Sequence, residues 1–215
     1  LWVSSRKLSA TDPDDEVEYI ATRTKLDIEG LPLVVTDARD RECQTHAFSI
    51  GGQLLIETNI DKGSRTSITT VLGEPLRRWD DRDQVFRPQY DQLRRPTHLF
   101  LKVASDPEVL LERRYYGDQA DITDPEDDNL RGKLVALYDS AGLVKLGPYD
   151  FKGNLLSSSR QLFEDFTTTP DWGAIETEDS AEDAELAIAA DLATDIFSES
   201  REYDALGRVT KVTAP

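Results

Sequence analysis

The residues of this chain with the most scope for chemistry are its carboxylates, 42 Asp and Glu against 25 Lys and Arg. Two of them facing each other across one cleft, roughly 5–9.5 Å apart, would make the acid pair of a retaining or inverting glycosidase. Their distribution argues for another role. Asp returns at regular intervals along the chain, each time in the same local setting, whereas an enzyme needs its acid once. Cys43 is the single thiol, which excludes an internal disulfide, a Cys-pair zinc site and a redox dithiol. His46 follows three positions later, which on a strand is the opposite face, so Cys43 reads as a packed small residue. His46 and His98 are the two histidines, and each reads as an ordinary strand residue. There is no Gly-rich phosphate loop ending in Lys-Ser/Thr, no G-x-G-x-x-G, no H-E-x-x-H and no G-x-S-x-G. Asp118 to Asp128 has Asp-x-x-Asp spacing but lacks the Gly and the terminal Glu of a calcium loop. No catalytic, cofactor-binding or metal-binding residue is assigned, and the chain is expected not to be an enzyme.

The elements that carry the recurring Asp are turns. Tyr138-Asp139-Ser140-Ala141-Gly142 is followed eleven residues on by Tyr149-Asp150-Phe151-Lys152-Gly153, and a third copy is Tyr203-Asp204-Ala205-Leu206-Gly207. In Tyr-Asp-x-x-Gly the Asp opens a tight turn, its carboxylate taking backbone N–H groups two residues on. Gly at the fourth position accepts the positive φ that closes the turn. Tyr ends the incoming strand, where a large amphipathic ring packs on a sheet face. Apolar residues follow each Gly (Leu143-Val144, Leu155-Leu156, Val209), so the unit is strand, turn, strand. Tyr138, Asp139, Gly142, Tyr149, Asp150, Gly153, Tyr203, Asp204 and Gly207 are the structural turn residues expected from this pattern.

Weaker copies run upstream, opening at 27, 37, 49, 61, 70, 80 and 91. Their steps of about 11 residues suit a strand of five or six residues plus a turn. Two steps make a repeat of about 21 residues, and a fixed period outranks any local motif as a guide to fold. Ser49, Thr70, Asp83 and Arg94 depart from the pattern.

Between the repeats the grammar varies. Residues 1–16 are polar, and Thr11 to Glu16 reads as a surface loop. Val17, Tyr19 and Ala21 alternate as in a half-buried strand, and Pro32 belongs at a strand start or edge. Arg77, Arg78, Arg82, Arg87, Arg94 and Arg95, interleaved with Asp80, Asp81, Asp83 and Asp91, read as ion pairing across strands in preference to an anion site. Ser105-Asp106-Pro107-Glu108 resembles the start of a short helix, and 129–137 a short helix or strand. After Trp172 the pattern changes. Ala181 to Phe197 reads as a helix capped by Ser180, with Leu186, Ala189, Ala190, Ala193, Ile196 and Phe197 forming an apolar stripe. The organisation expected is a repeat segment over 1–171, a helical insertion over 172–200 and a resumed repeat over 201–215.

The net charge of −17 on 215 residues disfavours nucleic acid and anionic membrane as partners. It also keeps a strand-rich surface soluble. No apolar run approaches the length of a membrane span. The chain opens on Leu1 and contains no Met, so it is read as a segment of a longer polypeptide.

The Tyr-Asp-x-x-Gly repeat resembles the YD repeat of Rhs proteins, teneurins and the toxin-complex (Tc) insecticidal toxins. Longer stretches resemble the B component and the fused B–C proteins of Tc toxins. These are Leu76 to Asp80, Tyr90 to Thr97, Asn129 to Lys133, Tyr138-Asp139 with Ala141 to Val144, Tyr149 to Leu156, Ser159 to Leu162 and Thr168 to Trp172. The resemblance runs from about Tyr19 to Pro215. It implies a mainly β fold, antiparallel β-hairpin YD repeats forming a strip of a larger β-shell, with one inserted α-helix. It implies a secreted virulence protein whose shell encloses and helps deliver a toxic C-terminal polypeptide. The partners implied are the rest of that shell, the enclosed polypeptide and a pore-forming toxin subunit. Two other classes stay open. One is a carbohydrate- or cell-surface-binding repeat module, which would display aromatics drawn from Tyr90, Tyr115, Tyr116, Tyr138 and Tyr149. The other is the glycosidase-like enzyme.

Overall fold

The computed structural model describes residues 2–7, 17–118, 122 and 124–215. The loop expected over Thr11 to Glu16 lies outside the described residues, as do positions 119–121 and 123 of the acidic stretch. The chain divides into two compact units, Leu1–Val85 and Phe86–Pro215.

The first unit is a meander of antiparallel strands, each paired with its neighbours in sequence. They are β1 (Trp2–Lys7), β2 (Val17–Leu26), β3 (Pro32–Thr36), β4 (Glu42–Phe48), β5 (Leu54–Asn59), β6 (Gly63–Thr69) and β7 (Pro75–Asp80). Pro32 opens its strand, where its missing N–H removes no ladder bond. The register slips by one residue beside the turns that open at Asp27, Asp37, Ser49 and Thr70. Such bulges sharpen the local twist and let a five-residue connection close an antiparallel pair. None of the first unit's described side chains from Ile20 to Val85 is fully buried. Among the unit's described residues no second layer covers this sheet, which leaves both faces partly wet.

The second unit continues the same grammar: β8 (Gln84–Tyr90), β9 (Pro96–Val103), β10 (Val109–Tyr116), β11 (Leu134–Asp139), β12 (Gly142–Leu146), β13 (Ser157–Phe163), β14 (Leu192–Tyr203) and β15 (Val209–Thr213). Between β13 and β14 the chain leaves the sheet. It forms a 3₁₀ turn at Trp172–Ile175 and helix α1 at Ala181–Ala187, then folds back on the sheet face. Here the core forms. Trp172, Ile175, Ala184 and Ile188 of the insertion cover Phe100, Leu110, Tyr115, Ala136, Tyr138 and Leu143 of the strands. A second layer has turned half-wet sheet positions into dry ones.

Three expectations are corrected. The helix begins as expected, with Ser180 Oγ accepting from Asp183 N at 3.0 Å, but it ends at Ala187, not Phe197. Leu192, Ile196 and Phe197 instead pair with Phe163, Gln161 and Arg160 of β13. The open edge of β13 claims their backbone groups, and that ladder overrides helical propensity. The buried stripe is therefore Ala184, Ile188 and Leu192, while Leu186, Ile196 and Phe197 stay exposed. No helix starts at Ser105; Asp106 N donates to Val103 O in a tight turn and β10 follows at once. Finally, the turn between β5 and β6 opens at Asn59, not at Asp61. Asn59 pairs with Gly63, and its side-chain oxygen accepts from Asp61 N and Lys62 N.

Candidate functional site

The recurring carboxylate has one geometry. At Asp27 the Oδ1 atom accepts from Glu29 N and Leu31 N, both at 2.8 Å, while Gly30 N donates to Asp27 O. Asp37, Asp80, Asp150 and Asp204 likewise each accept from the backbone N–H two and four residues on. One oxygen thus satisfies two donors that would otherwise point into solvent or lack partners. The other oxygen takes a side chain: Arg41 on Asp37, Arg95 on Asp91, Asn154 on Asp150, Arg208 on Asp204. Where the opening residue is Ser49 or Thr70, its hydroxyl oxygen accepts from the N–H four residues on, Gln53 or Glu74. The fourth position closes each turn at positive φ. Gly does this at 30, 52, 73, 153 and 207, while Asp40, Asp83 and Arg94 hold it at 56°, 55° and 64°. The upstream departures from the sequence pattern therefore build the same turn.

The residues read as structural turn positions fall as follows. Asp139 accepts from Ala141 N at 2.9 Å and faces Gly142 across the tightest hairpin, and both its oxygens accept from Arg160, at 2.6 and 2.9 Å. Tyr138 is buried beneath the insertion, against Tyr115 and Trp172. Tyr149, Asp150 and Gly153 form a hairpin held by one bridge, Tyr149 to Leu155, without flanking strands; the next strand starts at Ser157. Tyr149 and Tyr203 each donate a hydroxyl hydrogen bond to a main-chain carbonyl, of Leu134 and Leu155. These tyrosines lace one hairpin to the next.

Charge placement explains the acidity of these turns. The Arg41 guanidinium and the backbone N–H groups of Arg41 and Arg39 hold the Asp37 carboxyl down at about 2. Asp150, through Asn154, and Asp204, through the Arg208 backbone and side chain, are also lowered. A lowered carboxyl binds its proton less readily in the folded chain than in the unfolded one. The turn locks therefore contribute fully above about pH 4 and weaken as the pH falls through the folded values. In a carboxyl-carbon NMR titration, Asp37 is expected to protonate near pH 2, and Asp150 and Asp204 below the ordinary value of 3.8. A midpoint for Asp37 at 3.8 or above would contradict the lock.

The insertion is fastened by polar contacts as well as by its core. Asp171 accepts from Leu110 N at 3.0 Å, and Trp172 Nε1 donates to Asp139 O at 3.1 Å. Buried Arg113 donates to Glu178 O at 2.7 Å, with its guanidinium over the Tyr115 ring. Tyr115 donates its hydroxyl hydrogen to the same region, 3.2 Å from Glu178 O. His98 Nε2 lies 3.1 Å from Glu176 O, which can only accept, so that nitrogen carries the proton. Burial, with Arg113 and Arg87 nearby, keeps the His98 pKa below its ordinary value. Nothing in the sequence pattern marked Arg113, Asp171 or His98 as anchors, because their partners are main-chain carbonyls and amides more than 60 residues away.

No protein-family model matches the chain, and no curated protein matches it. Solved structures do. A crystal structure of TcdB2-TccC3 without its hypervariable C-terminal region superposes with a TM-score of 0.79 at 25% identity, over 95% of this chain. The TcdB2-TccC3-TEV crystal structure gives 0.78 at 25%, and TcdB2-TccC3-Cdc42 gives 0.79 at 24%, each over 95% of this chain. The chain shares its fold with these Tc toxin structures, consistent with a YD-repeat (Rhs-repeat) component. It spans 10% of the length of the chains it matches.

The hairpins account for most of the remaining candidates. In the arginine-rich stretch, Arg87 pairs with Glu108 at 2.5 Å, Arg95 pairs with Asp91 and Asp118, and Arg77 lies over Trp79. Cys43 donates to Val35 O at 3.2 Å on its strand, and His46 packs near Phe48. Among the described residues there is no cluster of His, Cys, Asp and Glu able to hold a metal ion, and no helix long and apolar enough to cross a membrane.

Proposed function

We propose that this YD-repeat chain is a wall segment of a secreted shell that encloses a toxic C-terminal polypeptide and helps deliver it. On this reading the segment is non-catalytic in itself. Its partners are the rest of the shell, the enclosed polypeptide and a pore-forming subunit. The observation that carries the reading is the continuous hairpin repeat whose carboxylates are spent on closing turns, in a fold shared over 95% of its length with TcdB2-TccC3. An acid pair for glycoside cleavage needs free carboxylates across a cleft; these ones hold main-chain amides. The aromatics support the wall over a glycan-binding module. Tyr115 and Tyr138 are buried, and Tyr116 and Tyr149 are half-buried with their hydroxyls on main-chain carbonyls. A sugar-stacking platform needs exposed rings.

The test is electron microscopy of the full-length polypeptide with limited proteolysis. A hollow particle in which the C-terminal region resists protease until the shell is opened is the expected result. An open, elongated molecule with a freely cleaved C-terminal region would overturn the proposal.

A further inference from the structure

A meander places alternate turns on opposite edges of its sheet, and in the first unit the two edges differ in chemistry. The turns joining β2 to β3, β4 to β5 and β6 to β7 share one edge. At their tips stand Ile28 beside Glu29, Ile50 beside Gly51, and the pair Val71 and Leu72, the four aliphatic side chains having relative exposures of 102%, 105%, 96% and 71%. On the other edge the tips are Ala38-Arg39, Asp61-Lys62 and Asp81-Arg82, with Ile60 the one large apolar residue among them. Turn tips in water are ordinarily Gly, Asn, Asp or Ser. Nothing in the turn itself asks for an aliphatic residue, since the opening Asp, Ser or Thr and the closing Gly already complete its hydrogen bonding. Three consecutive turns on one edge, each tipped by β-branched or aliphatic side chains standing clear of the protein, mark a contact line.

We propose that the Ile28–Ile50–Val71 edge is buried, in the assembled protein, against a second strip of the same hairpin repeat from elsewhere in the same long polypeptide. This rests on the shell reading above and adds to it which edge closes the wall and through which side chains. The spacing selects the occupant. Neighbouring strands lie 4.7–4.9 Å apart, so every second turn recurs at about 10 Å along the edge. A partner presenting apolar side chains at that same repeat is another strip of two-strand units, whose own tips interdigitate with these. The solved chains it resembles are about ten times its length, since it covers 10% of them, which leaves ample chain to supply the second strip.

The test uses the full-length polypeptide carrying Cys43→Ser. Single thiols are introduced by Ile50→Cys on the apolar edge and Arg39→Cys on the charged one, and maleimide labelling of each peptide is followed by mass spectrometry. Both positions are exposed in the isolated fold, so neither substitution removes a packing contact. In the assembled particle Ile50→Cys should label roughly tenfold or more slowly than Arg39→Cys, and the two should label alike in urea. A photocrosslinker at position 50 should join to a hairpin elsewhere in the same polypeptide. If a closed particle forms and the two thiols label alike, the edge contact is wrong while the shell stands. If crosslinks run to a second particle, the occupant is wrong. If no closed particle forms, the shell reading and this contact fail together.

Discussion

Trp172→Ala is expected to destabilise the second unit by about 3–5 kcal/mol, the range for emptying a buried aromatic site. Trp172 is 1% exposed. Its ring meets Tyr138 and Phe163, each with centroids 5.5 Å away, and its Nε1 donates to Asp139 O. The substitution therefore opens a cavity at the centre of the core, removes two aromatic contacts and strands a main-chain carbonyl at the tightest turn. The loss should be local in kind. The strands keep their ladder hydrogen bonds, so far-ultraviolet circular dichroism should change little, while the urea midpoint falls and residues 164–191 become sensitive to protease. A midpoint within about 1 kcal/mol of the parent chain would mean that the insertion is held by its polar anchors and not by its core.

Gly142→Ala should cost about 3 kcal/mol or more, combining strain at a left-handed backbone position with overpacking. Gly142 sits at φ 127°, and an added Cβ would lie 2.7 Å from Phe163 N and 2.8 Å from Leu162 C, closer still to the Gln161 carbonyl. All three are backbone atoms of β13, so no side chain can rotate out of the way. Gly30 occupies the same fourth position of its motif at φ 89° with nothing within 4 Å of an added Cβ. Gly30→Ala should therefore show only the conformational cost, about 1–2 kcal/mol. Denaturant unfolding of the two variants separates the requirements. Equal losses would show that backbone conformation alone sets the demand for Gly, and that β13 accommodates the methyl.

Much of the turn chemistry was legible locally, because a turn is completed by residues within four positions of one another. Asp27, Asp37, Asp80 and Asp204 accept the amides their spacing offers them. Where the motif decayed to Ser49 or Thr70, the hydroxyl kept one acceptor in the same place, so the hairpin survived the loss of the carboxylate. The Asn59 turn was misplaced by two residues because Asn and Asp both make such side-chain acceptors, and which one opens a turn depends on the strand register around it. The helix fared less well. Ala181 to Phe197 has helical composition throughout, and Ser180 caps it as read. Its second half is a strand because β13 lies beside it with unpaired main-chain groups, a fact about position in space and not about those residues.

The sequence by itself determined the repeat: its period, its turns, the antiparallel hairpins that follow from them, and the surplus of negative charge. Each of these depends on neighbours along the chain. Only the tertiary structure decided where a core exists. Tyr115, Tyr138 and Arg113 are dry because residues 170–188 fold back over them, whereas strand residues of similar pattern in the first unit, from Ile20 to Val85, stay partly wet, with no second layer on them among the described residues. Burial is a property of what lies on a sheet face, and a strand's alternation can announce that face without saying what will cover it.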